Sequence, residues 1–91
     1  MAELTVPASP KARRFVEEIV EQMLFLFPIT REEAIGRINE TWRHVSYLGD
    51  DDVIFHETAV HWAKTIYYGK ESMWWLGEEG LPPRPYPARP Q

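Results

Sequence analysis

Apolar residues recur at Val16, Ile19, Val20, Met23, Leu24 and Phe27, with Glu17, Glu18 and Glu21 between them. That i, i+3, i+4, i+7 spacing predicts an amphipathic helix with one buried stripe. Ser9-Pro10 marks its start, the hydroxyl capping free N–H groups and the ring pre-setting φ at the first helical position. Pro28 stops it, because a proline disfavours helical geometry at the residue before. Phe25 falls on the acidic side, either exposed or turned inward where the helix ends.

Thr30-Arg31-Glu32-Glu33 reads as a capping box, in which the Thr30 hydroxyl and the Glu33 carboxylate satisfy reciprocal backbone donors. The second helix is predicted over residues 30–45, with Ala34, Ile35, Ile38, Trp42 and Val45 on its inner face and Arg31, Glu32, Arg37, Glu40 and Arg43 mostly elsewhere. Gly36 inside it costs up to about 1 kcal/mol relative to Ala, and close approach of a neighbouring helix would account for it. Residues 46–49 form a connector. Asp50, Asp51 and Asp52 then place negative charge where a helix N-terminus favours it, opening a third helix with Phe55, Ala59, Trp62, Ala63 and Ile66 inward. Gly69 is its natural C-cap. A short fourth element at residues 70–76 carries Met73, Trp74, Trp75 and Leu76. The segment LPPRPYPARPQ holds five of the eight prolines and is predicted to be extended.

The fold class expected is all-α: a small three-helix bundle with a short fourth helical element and an extended Pro-rich C-terminal tail. Residues 1–8 read as a flexible arm, 9–77 as the bundle and 78–91 as the Pro/Arg-rich tail. A chain of 91 residues fits one domain.

Composition narrows the function classes. There are no cysteines, which excludes disulfides, thiolate metal sites and thiol catalysis. The N-terminus lacks the apolar run of a signal peptide, and no stretch approaches the roughly 20 apolar residues a bilayer requires. A soluble, cytoplasmic protein with no membrane partner is the expectation. The net charge of −4 argues against a surface that grips phosphate backbones.

Several constellations invite chemistry. His56-Glu57-Thr58-Ala59-Val60-His61 misses the zincin pattern by one residue, since paired zinc histidines on a helix stand at i and i+4. Glu57 and His61 have that spacing and can pair, but a pair is not a metal site, and His44 is distant in sequence. The Asp50–Asp52 run lacks the alternating ligands and turn glycine of a calcium loop. No carboxylate is predicted in an apolar cleft that would raise its pKa for acid–base work, and no serine sits in a nucleophile elbow. The reading is therefore no catalytic residue, no metal and no cofactor.

Residues 30–45 with the following helix have roughly helix-turn-helix lengths. The third helix, however, offers Lys64 alone behind three aspartates, where a recognition helix presents Arg, Lys, Asn or Gln to base edges. A nucleic-acid regulator using Arg13, Arg14 and the second helix is the alternative function. A metal-dependent enzyme using His56, Glu57 and His61 is a further one.

Around Phe27 and Pro28, the segment MLFLFPITREE resembles the Phe-Pro turn of CUE-type ubiquitin-binding modules. Those modules also carry a di-leucine at the end of their third helix. Here that place holds Ile66, Tyr67 and Tyr68, so the function is not carried over. Residues 84–90, Arg84-Pro85-Tyr86-Pro87-Ala88-Arg89-Pro90, match the R-x-x-P-x-x-P arrangement that SH3 domains read. The tail is expected either to dock its prolines and Tyr86 across Trp74 and Trp75 of the same chain or to be disordered, the dock being slightly preferred and both ahead of an external SH3-type reader.

The aromatic doublets complete the picture. Trp42 and Trp62 are assigned to the core. Tyr67-Tyr68 and Trp74-Trp75 are adjacent pairs, and neighbours on a helix point about 100° apart. Both members of a pair are buried only if cover comes from two sides, and uncovered Trp and Tyr are enriched at protein interfaces. The leading expectation is a non-catalytic interaction or accessory module that contacts a protein partner or a second copy. Its candidate contacts are Tyr67, Tyr68, Trp74, Trp75, Arg84, Tyr86 and Pro87.

Overall fold

The computed structural model describes residues 3–87. Their fold is all-α. Helix α1 spans Pro10–Leu26, α2 Arg31–Thr41 and α3 Ala59–Tyr68, with 3-10 turns at Val53–His56, Lys70–Ser72 and Trp74–Leu76. Helix α1 packs on both α2 and α3, most extensively on α3.

Local chemistry sets the helix starts. Ser9 Oγ accepts from the Ala12 amide at 3.1 Å, and Thr30 Oγ1 from the Glu33 amide at 3.1 Å. The Glu33 carboxylate, which a capping box would turn back to Thr30, accepts from Arg37 Nε at 2.8 Å. The stripe of α1 is buried at Val16, Ile19, Val20, Met23 and Phe27, whereas Leu24 is marginally exposed and Phe25 is 83% exposed.

Two boundaries differ from expectation. Helix α2 stops at Thr41, with Trp42 as its C-cap rather than an interior residue. The aspartates do not open α3: Asp52 Oδ1 accepts from the Ile54 amide and caps the 3-10 turn, while Thr58 Oγ1 accepts from the His61 amide and caps α3. Glu57 interposes an extended residue (φ −121°, ψ 161°), so one hydrophobic run is divided between two elements. Ala63 and Ile66 are buried in α3, while Phe55, Ala59 and Trp62 are half-buried.

Residues 3–9, read as a flexible arm up to Ala8, lie against the connector between α2 and α3. The Ser9 amide donates to Leu48 O at 2.8 Å and the Leu48 amide to Pro7 O at 2.9 Å. Asn39 brackets the other end, accepting from the Thr5 amide and donating to Glu3 O, both at 2.8 Å. Val6 and Leu48 complete the core beside Ile54. None of these three belongs to a periodic stripe, which is why patterning passed over them.

Candidate functional site

The C-terminal part of the chain turns its aromatics into two different settings. In the first, Tyr67 at the end of α3 stacks on Phe27, ring centroids 3.7 Å apart and planes 10° apart. Tyr68 meets the same ring edge-on at 5.6 Å, and its hydroxyl donates to Glu78 Oε1 at 3.3 Å. Burial first, and the nearby Glu78 carboxylate second, push the Tyr68 phenol above its ordinary pKa. One phenylalanine at the end of α1 thus covers both tyrosines.

The tail docks beside this pair and not on the tryptophans. The Arg84 amide donates to Tyr67 O at 2.8 Å. Arg37 Nη1 donates to Arg84 O at 2.7 Å and to Tyr67 O at 3.4 Å. The Arg37 guanidinium carbon lies 5.0 Å from the Tyr67 ring centroid and 5.3 Å from that of Tyr86. With Glu33 on Nε, this side chain, 6% exposed as a residue, has a carboxylate, two carbonyls and two ring faces around it. Buried guanidinium groups are tolerated when paired in this way.

Gly36 supplies the space. A Cβ there would overlap the Tyr86 hydroxyl and lie 2.6 Å from ring carbon Cζ. The close approach that a mid-helix glycine implies is therefore made by a tail tyrosine, not by a neighbouring helix. Gly69, at φ +92°, closes α3 and passes under the aliphatic stem of Arg84. Pro87 is exposed; Ala88, Arg89 and Pro90 of the R-x-x-P-x-x-P match lie outside the described residues.

The second setting is a ridge. Trp74 is half-buried and anchored: its Nε1 donates to Thr65 Oγ1 at 3.1 Å, and Lys64 Nζ lies 5.3 Å from its ring centroid. Lys64 also pairs with Glu78, fixing the chain beyond the turn. Trp75 contacts Trp74 edge-on at 5.9 Å and is about half exposed. Met73, Trp75 and Leu76 are 50%, 53% and 73% exposed. Met73 and Leu76 belong to this surface although neither is part of an aromatic doublet; their place next to the Trp pair is the sequence signal for them.

The remaining candidates stay apart. Among the described residues, no group of three or more His, Asp or Glu side chains is placed to hold a metal ion. His61 Nδ1 stands 3.6 Å from Glu57 Oε1, while His44 Nε2 accepts from Arg43 Nε at 3.4 Å. A cleft of about 420 Å³ opens between the end of α2, α3 and Lys70-Glu71. Trp42 and Trp62 line it, 5.2 Å apart and edge-to-face, and its rim mixes Glu40 and Glu71 with Arg43, Lys70 and Arg84. No helix among the described residues is long and apolar enough to cross a membrane. Comparison with protein-family models, curated proteins and solved structures gives no match.

Proposed function

We propose that this chain is a non-catalytic interaction module of the cytoplasm, a small three-helix bundle that presents one apolar ridge to a protein partner, including a second copy. The observation that carries the reading is the exposure of Met73, Trp75 and Leu76 on a turn whose neighbour Trp74 is fixed by Thr65 and Lys64. An anchored apolar ridge loses little conformational entropy when it is covered, and tryptophan is the residue most enriched at binding hot spots. Of the seven side chains singled out as contacts, Trp75 is the one this reading rests on. Tyr67, Tyr68 and Tyr86 serve the chain's own packing, with Arg84 beside them and Pro87 at the edge, while Trp74 anchors the ridge.

The test compares the wild-type chain with Trp75→Glu/Leu76→Glu by light scattering over rising concentration and by capture from the native host. Loss of self-association, or of specific captured proteins, in the double variant is expected. Equal mass and equal captured proteins for both chains would defeat the reading.

No observation favours the helix-turn-helix alternative. Residues 42–58 separate α2 from α3, where that motif uses a turn of about 3–4 residues.

A further inference from the structure

The tail is held by contacts that read a particular chemistry. Main-chain recognition runs both ways at one residue: the Arg84 amide donates to Tyr67 O, and the Arg84 carbonyl accepts from Arg37 Nη1. Two residues on, an aromatic ring fills a space that only a glycine leaves open and lies against the same guanidinium. These features belong to α2 and α3 and would meet any segment with the same backbone and ring.

We propose that the notch walled by Gly36, Arg37 and Tyr67 is a peptide-reading site for Arg-Pro-Tyr-Pro-type segments, which the chain's own residues 84–87 occupy in cis and the same residues of a second copy can occupy in trans. A second copy is the occupant because its tail carries the ring and carbonyl that the notch already holds. The connection leading to the tail permits exchange. Gly77 and Gly80 have positive φ, and a Cβ at either would meet nothing within 4 Å, so the segment can swing about these two points once Glu78 is released from Lys64 and the Tyr68 hydroxyl.

Neither the backbone contacts nor the Gly36 space involves Met73, Trp75 or Leu76, so the proposal stands apart from the ridge. A resident cis segment weakens apparent trans affinity by the fraction of time the notch is open. Detaching the tail must therefore strengthen binding of an added peptide.

The experiment titrates a fluorescent peptide of residues 81–87, LPPRPYP, against full-length chains by anisotropy, with circular dichroism checking that each is folded. Tyr86→Ala removes the resident ring and leaves the notch intact. It should bind the peptide at least about tenfold more tightly than wild type, as expected if the notch of the wild-type chain is open about a tenth of the time or less. Arg84→Pro removes the donating amide and should give the same gain, so the test survives if one variant fails to fold. Adding Gly36→Val to either variant should abolish binding, as should Tyr→Ala in the peptide. Absence of binding to both folded detached chains overturns the proposal, as does binding unaffected by Gly36→Val.

Discussion

Two regions of the C-terminal third carry aromatic doublets, and they end differently. Tyr67 and Tyr68 close α3, where a ten-residue helix fixes their directions and Phe27 of α1 lies within reach of both. Trp74 and Trp75 sit on a three-residue 3-10 turn. One ring reaches back to α3, and the other, edge-on to it, is left 53% exposed. Neighbours diverge by about 100° on the α-helix and about 120° on the 3-10 turn, so the problem is alike in both places. It is solved where a second helix and a returning tail supply two covering sides, and half solved where only one side exists. An aromatic pair therefore says little about function until its cover is known.

The contrast can be broken from either side. The largest effect should come from the helix contact that places Phe27: Met23→Ala, fully buried one turn earlier on α1, should cost about 3 kcal/mol, measured by urea unfolding. Arg37→Met should cost about 2 kcal/mol, since it removes charged hydrogen bonds and takes the donor from the Arg84 carbonyl and the Glu33 carboxylate. Arg37→Lys should recover little, because an ammonium cannot supply the forked donors. A Lys variant as stable as wild type would show that charge alone is sufficient.

A smaller effect is read through pH. The Tyr68 phenol is held neutral above its unfolded value. Its contribution is complete below about pH 10 and is lost as pH rises through the higher folded-state pKa. Tyr68→Phe should flatten that alkaline loss, and an unchanged slope would remove Tyr68 from the explanation. The smallest change belongs to the ridge: Trp75→Ala should alter stability by no more than about 0.5 kcal/mol while diminishing partner capture. A cost above about 2 kcal/mol would mean that the ring is structural after all.

Legibility followed sequence distance. Ser9-Pro10, Thr30 and Pro28 act within one turn of themselves, so α1 and the start of α2 were readable. Asp52 and Thr58 are both competent caps six residues apart, and which of them opens α3 depends on the extended backbone at Glu57. Gly36 announced a close approach without saying whose, because Tyr86 lies fifty positions away. Arg37 looked like a surface residue because its place on α2 matches the charged side. Its burial is caused by a tail that helical periodicity does not register.

The separation of 47 residues between Arg37 and its Arg84 acceptor also sets an order of events during synthesis. The guanidinium emerges after Glu33, four residues earlier in the same helix, and before the two carbonyls it meets in the folded chain. Closing so long a loop adds little to its entropic cost, but it cannot begin before residue 84 emerges. A product that ends short of this point has no tail of its own to place in the notch. Closure of the Gly36 notch in cis thus requires that translation has passed Tyr86.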